Sequence, residues 1–446
     1  MQPVQLQDHK LEASLIAWYE QNMTKITEYY RQRAKKHWDT QGDRNTTFFH
    51  MAVQKRKRRN RIVSIWNIHG HDLFDPEDIA SEFVQYFKSI FCSSTTNNGR
   101  PILNTTLPQD SEDYTNSVPG KQELWGILKE MRKNASPGHD GFNVAFYTSA
   151  WDWIGVDVTN VVRNFYTTAV LPPHFNDTHI ALIPKKLACH LPSDFRPISL
   201  CNVVYKIIAK SLENKLKQHL PDYIHPLQQA SIKGRSIGNN IIIAQEIAHS
   251  FSLSSWKSLD FILKIDLAKA FDRIEWHFIV SALTRKGLHD HFIKLVFACI
   301  SLPIFSVIIN DQSFAKFRSS RGIRQGCPLS PHLFVFAVNE LALSLQDALQ
   351  ANHLTGISLG PNCPGIHSLM FADDLIVRGK ANMQEARRIS QIIDLFCHYS
   401  GQTLNWSKSG ILFSNLSSPK HRQVLFNLGH PLILPSKDKS SAYAFI

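Results

Sequence analysis

The chain has 446 residues, 43% of them hydrophobic and 19% charged, the make-up of an ordinary folded protein of about three domains. Its 20 Gly and 21 Pro fall far below the share found in disordered low-complexity chains, and a chain this long buries a core without disulfides or structural metal. Lysine and arginine number 49 against 37 aspartates and glutamates, a net charge of +12, and such a cationic surface gains affinity for nucleic acid through released counterions.

The most apolar runs, such as Leu333–Val338 and Ile241–Ala244, fall well short of the ~18 residues that span a bilayer. The first ten residues are polar and carry no apolar secretory core. Cys92, Cys189, Cys201, Cys299, Cys327, Cys363 and Cys397 stand singly, outside any C-x-x-C spacing, which fits reduced thiols better than a zinc or disulfide framework. A nuclear or cytoplasmic protein with no membrane contact is expected; the sequence sets no oligomeric state.

From the N-terminus, Glu12–Trp38 mixes aromatic and charged residues with few breakers and predicts a long polar helix within residues 1–60. Lys55, Arg56, Lys57, Arg58 and Arg59, followed by Arg61, fit a solvated charge face, a nuclear-import signal or a phosphate-backbone contact. Ile62–Ile68 alternates as a strand does and turns at His69-Gly70, and Asp78–Phe91 has the spacing of an amphipathic helix. Ser93–Ser117, rich in Ser, Thr, Asn and Pro, reads as a linker. Farther on, Ser199 reads as the N-cap of a helix over Leu200–Leu220 that Pro221 ends. Phe261–Asp266 (FILKID) is a short apolar run leading into a helical pattern from Ala268 to Arg285. Ser330 as N-cap and Pro331 at the first helical position open a helix to about Leu349. Leu369–Val377 reads as two short strands around an acidic pair, and no internal repeat is present.

That pair, Asp373 and Asp374, sits between the triplets Leu369-Met370-Phe371 and Leu375-Ile376-Val377, the pattern of a β-hairpin in a covered sheet. Adjacent carboxylates near an apolar sheet repel each other and lose hydration, which a divalent ion compensates; an exposed Asp-Asp turn in water is the plainer alternative. Asp266, at the end of FILKID, could reach the same sheet edge. One acid at a strand end plus an acidic pair on a hairpin is a ligand set for two-metal phosphoryl transfer, with hard oxygen donors suited to Mg2+. That chemistry requires Asp266 and Asp373 to come within about 4–6 Å. Asp272 and Glu275, which follow, read as solvated or as helix-dipole partners. In Arg321–Phe334, Gly322 and Gly326 permit close backbone approach, and Gln325 offers an amide able to contact bases or sugars.

The motifs IDLAKAFD (Ile265–Asp272), RQGCPLSP (Arg324–Pro331) and FADD (Phe371–Asp374), in that order, closely resemble the palm motifs of reverse transcriptases. SPGHDGF (Ser136–Phe142), LIPKK (Leu182–Lys186), DFRPISLCNVVYKIIAK (Asp194–Lys210), IKGRSIGNNI (Ile232–Ile241) and SGQTLNWSKS (Ser400–Ser409) narrow the resemblance to plant-type non-LTR retrotransposons (LINEs). His37–Asn60 is similar to the segment that joins endonuclease and polymerase in those elements.

The resemblance implies an α+β right-hand polymerase, fingers and palm preceded by a helical extension. It divides into a basic extension over 1–110, fingers over 111–255, palm over 256–415, and an unrelated or disordered tail over 416–446 with the thumb absent. It implies RNA-directed DNA synthesis on an RNA template from a DNA primer and dNTPs, with two Mg2+ ions, or Mn2+ in their place. Asp266, Asp373 and Asp374, with the Leu267 carbonyl, match the metal ligands. Phe271 matches the aromatic that blocks a ribose 2′-OH, and Gln325 and Gly326 the loop touching template and incoming nucleotide. Lys185 and Arg196 match nucleotide contacts, Lys233 and Arg235 nucleic-acid contacts, and Lys408 the lysine that protonates pyrophosphate. Ser231 departs from the family in replacing an aromatic, a change expected to loosen the fingers. A catalytically inactive nucleic-acid-binding relic is the alternative; a two-metal nuclease fits the acids but not Phe271 or the RQG loop.

Overall fold

The computed structural model describes residues 3–34, 46–93, 117–252, 259–301, 303–358, 365–414 and 432–433. The expected linker and most of the expected tail lie outside the described residues. By contact the chain divides into two compact units, one of Met1–Glu82, Ala181–Arg196 and Ile308–Phe314, the other of Phe83–Ile180, Pro197–Val307 and Ala315–Ile446. Among the described residues no helix is long and apolar enough to cross a membrane.

In the first unit, helix α1 (Pro3–Ala34) covers the described part of the long polar helix expected over Glu12–Trp38, and α2 is Thr46–Asn60. A hairpin follows, β1 (Ile65–Trp66) antiparallel to β2 (Asp72–Leu73), with the turn at His69-Gly70 as expected and Gly70 at φ +81°. Asn67 closes it, its Oδ1 accepting from the N–H groups of His69 and His71. Helix α3 (Pro76–Phe91) starts where Asp75 Oδ2 accepts from the amides of Glu77 and Asp78. Its helical period buries Ile79, Phe83, Phe87, Ile90 and Phe91.

The rest of the chain runs α4 (Lys121–Glu130), α5 (Val144–Thr168), β3 (Thr178–Pro184), β4 (Phe195–Cys201), α6 (Val203–Tyr223), α7 (Ile237–Ser252), β5 (Asp260–Asp266), α8 (Ala270–Arg273), α9 (Trp276–Arg285), α10 (Asp290–Ile300), β6 (Ile304–Ile309), β7 (Gln312–Arg318), α11 (Ser330–Gln350), β8 (Ser368–Phe371), β9 (Asp374–Lys380), α12 (Met383–Ser400), β10 (Gly410–Phe413) and β11 (Leu432–Ile433). Strands β4-β3-β6-β7 form one sheet and β11-β10-β5-β9-β8 another. In the second, every pairing is antiparallel except β10 with β11. The α+β expectation holds. Leu432 and Ile433, assigned to the tail by sequence, pair with Gly410 and Ile411 and extend this sheet.

Four expected helix boundaries differ from those observed. Ser199–Cys201 is strand, and α6 begins after Asn202, because residues 195–201 alternate buried and less buried as a sheet requires. α6 continues past Pro221 to Tyr223, where the Arg235 guanidinium donates to the carbonyls of Pro221 and Ile224. The pattern from Ala268 to Arg285 breaks at Ile274-Glu275: the Ile274 carbonyl accepts from Gly322 N–H and the Glu275 N–H donates to Ser400, both off the helix axis. At α11, Ser330 is the first helical residue rather than the cap.

Candidate active site

Strand β5 sits between β10 and β9, and its last residue, Asp266, is the register partner of Asp374, the first residue of β9. Such cross-strand partners share a face, with Cα atoms ~4.5–5.5 Å apart. Strands β8 and β9 are joined by two residues, Ala372 and Asp373, with Phe371 opposite Asp374. Ala372 adopts φ +54°, unusual for a residue with a Cβ. This turn puts Asp373 beside the Asp266–Asp374 pair, with Asp373 and Asp374 reaching solvent and Asp266 half-buried. Desolvation pushes the Asp373 carboxyl above its ordinary range, and the charges of Asp374 and Asp266 push it the same way.

Among the described residues no three His, Cys, Asp or Glu side chains are gathered as a ready metal cage. The three aspartates share one strand pair and the turn beside it. Their donor set, hard carboxylate oxygens on one sheet edge with a desolvated, negatively biased member, fits Mg2+. Leu267 fits as well. It bridges Leu404, but the bonds there are Asn405 N–H to the Asp266 carbonyl (2.8 Å) and Ala268 N–H to the Thr403 carbonyl (2.8 Å). Strand alternation turns the carbonyl of Leu267 to the opposite edge, the side of β9.

The Asn405–Ser409 loop is tied to the same strand end. Asp266 N–H donates to Ser409 Oγ at 3.2 Å, and the amides of Lys408 and Ser409 donate to the Asn405 carbonyl. Lys408, exposed, is thereby brought to the Asp266 end of the sheet.

The Arg321–Cys327 loop is clamped on the segment after Asp266. Gly322 N–H donates to the Ile274 carbonyl and Ile323 N–H to the Phe271 carbonyl, each 2.8 Å, and Trp276 Nε1 donates to the Gly322 carbonyl at 2.7 Å. A Cβ at Gly322, which has φ +88°, would lie 2.6 Å from the Asp272 carbonyl oxygen, so the close approach needs glycine. The Gln325 carbonyl accepts from Ser199 N–H, and Gln325 Nε2 donates to Asp272 Oδ1 at 2.8 Å. The ring of Phe271 is half-buried and stacks on Phe334, centroids 4.6 Å apart. Asp272, expected to be solvated, is 2% exposed, and Glu275 pairs with Arg321 at 3.4 Å.

Residues 183–432 match the family described as reverse transcriptase (RNA-dependent DNA polymerase). The chain belongs to that family. It is 28% identical to the uncharacterized 149 kDa protein of transposon TX1 from Xenopus laevis over 84% of this chain and 28% of that protein. It is 27% identical to a Pol polyprotein from the type-1 retrotransposable element R2 of Popillia japonica over 65% of this chain and 38% of the relative. It is 25% identical to the R2DM Pol polyprotein of Drosophila melanogaster over 64% and 26% of the two chains. The chain thus spans between about a quarter and two-fifths of the length of these relatives. The three motifs that carried the resemblance lie at the β5 end, in the loop before α11 and at the β8–β9 turn.

Other residues singled out from sequence are distributed differently. Lys185, Arg196 and Lys55–Arg59 belong to the first unit. There Lys185 Nζ donates to the Ser193 carbonyl at 2.7 Å, and Lys57 Nζ is 3.9 Å from Asp311. Lys233 is exposed. Arg235 is not a free phosphate ligand: its guanidinium donates to the carbonyls of Pro221, Ile224, His225 and Gln228, capping the end of α6. Ser231 is exposed at φ +57°, so the missing aromatic leaves no hole in the core.

Two residues that shape the site escaped sequence reading. Gln228, fully buried, accepts at Oε1 from the N–H of Ala372, the residue before Asp373, and of Ala230. Arg324, 5% exposed, lies with its guanidinium 4.1 Å from the Tyr205 ring centroid. It donates to Tyr205 Oη, Thr178 Oγ1 and the Cys299 carbonyl. Nothing in spacing distinguishes this arginine from a ligand-binding one; its adjacency to Gln325 was the available signal.

Proposed function

We propose that this chain is an RNA-directed DNA polymerase that adds dNTPs to a primer 3′-OH on an RNA template, as part of a non-LTR retrotransposon protein. The observation that carries the reading is the pairing of Asp266 with Asp374 beside the Asp373 turn, in a chain of the reverse transcriptase family. Asp266, Asp373, Asp374 and the Leu267 carbonyl would hold two Mg2+ ions, which when bound supply charge neutralisation for the attacking and leaving oxygens. The primer 3′-oxygen bonds to the α-phosphorus and the bond to pyrophosphate breaks. Lys408, carried by the loop tied to Asp266, gives the proton to the departing pyrophosphate. Phe271, an apolar ring, excludes a 2′-OH by bulk alone. Lys185, Arg196, Lys233 and the cations of α2 contribute non-specific attraction to phosphates.

Purified chain with poly(rA)/oligo(dT), dTTP and Mg2+ should extend the primer, and EDTA should stop it. Asp373→Asn should lower incorporation by about a thousandfold or more while RNA binding, which rests on cations elsewhere, changes little. Template binding without extension by the unmodified chain would favour the inactive relic. Degradation of the template would favour a nuclease.

A further inference from the structure

Asp272 has no role in the reading above, yet its placement is specific. It is 2% exposed, one residue beyond Phe271, and an ionised carboxylate so enclosed requires donors around it. Gln325 Nε2 is one of them, at 2.8 Å. A carboxylate accepts and cannot donate, so it forces the Gln325 amide to turn its NH2 inward. The amide oxygen, for which the described protein supplies no hydrogen bond, then faces away from Asp272. The main chain on both sides is already fixed: Ile323 N–H to the Phe271 carbonyl, Gly322 N–H to the Ile274 carbonyl, and Ser199 N–H to the Gln325 carbonyl. What remains free is the rotation of the Gln325 side chain, and Asp272 removes it.

We propose that Asp272 is a positioning residue that sets the Gln325 amide with its oxygen outward. The nucleotide site thereby presents a hydrogen-bond acceptor at that point and favours substrates carrying a hydroxyl or amino donor there. This rests on the polymerase reading.

The test is a double-mutant cycle on dNTP incorporation by the full chain, with folding followed by thermal unfolding. Asp272→Ala should reduce kcat/KM about tenfold to a hundredfold, chiefly through KM for the nucleotide, because the amide then turns freely. In a Gln325→Ala background the same change should cost less than about twofold, since no amide is left to orient. Gln325→Glu sets two carboxylates face to face and should lose activity. Adding Asp272→Asn to it restores one donor and one acceptor and should recover part of that activity, a rescue that does not depend on the alanine variants folding. Equal losses from Asp272→Ala in both backgrounds, or no rescue by Asp272→Asn, would overturn the positioning role while leaving the polymerase reading intact. Absence of extension by the unmodified chain would overturn both.

Discussion

The β8–β9 hairpin and the Arg321–Cys327 loop both carry charged and polar residues, but the two regions dispose of them in opposite ways. In the hairpin, Asp373 and Asp374 project from a turn into solvent, unneutralised by any cation in the described residues within salt-bridge reach. In the loop, Arg321 and Arg324 are 8% and 5% exposed, and their guanidinium groups donate to main-chain carbonyls, hydroxyls and Glu275. Charged residues are therefore left open to solvent in one place and built into the framework in the other. Position decides: a strand end leaves polar groups unclaimed, whereas a loop folded onto α8 and β4 must satisfy every donor it buries.

The comparison is most severely tested at Arg324. Arg324→Ala removes the donors held by Tyr205 Oη, Thr178 Oγ1 and the Cys299 carbonyl together, and the chain should lose roughly 3 kcal/mol or more of stability. Arg324→Lys should recover little, because a single ammonium does not reproduce the fork. The denaturation midpoint measures both. A loss below about 1 kcal/mol would show that the framework does not depend on Arg324.

Phe271 lies where the two regions meet, its carbonyl bonded to Ile323 and its ring on Phe334. Phe271→Val should raise ribonucleotide use relative to dNTP by about tenfold, with a smaller cost in stability from the lost stacking. Competitive incorporation assays read the first and thermal unfolding the second. A stability loss with unchanged sugar selectivity would assign the ring to the core alone.

The smallest effect concerns pH. Asp373 in the folded chain takes up a proton more readily than an ordinary carboxylate, through desolvation and its acidic neighbours. With the folded value above the unfolded one, its contribution to stability is greatest at low pH and declines as pH rises through the raised value. Asp373→Asn should therefore leave acid stability unchanged and raise neutral stability by roughly a few tenths of a kcal/mol, small because the group reaches solvent. Chemical denaturation from pH 3 to 8 checks it. A variant less stable than the parent at neutral pH would mean that Asp373 holds the turn together.

Much of the site was legible in the chain itself. FILKID, the FADD pair flanked by apolar triplets, and the RQG loop each stand on local pattern, because strand alternation and turn chemistry are short-range properties. The amphipathic run of α3 and the hairpin at His69-Gly70 were readable for the same reason. Local pattern did not reach the partners. Ser199–Cys201 resembled a helix start because Ser is a strong cap, until the sheet claimed those residues. The 268–285 pattern looked continuous because its hydrophobic period is, whereas Gly322 and Ser400 capture the backbone groups that would have continued it. The sequence by itself determined the family, the α+β class and which aspartates stand at strand ends. Only the tertiary structure decided that Arg235 caps α6, that Arg324 fills the space against Tyr205, and that Asp272 faces Gln325 across 53 positions of chain. Hydrogen bonds of that sequence separation depend on where distant segments pack, and no periodicity encodes them.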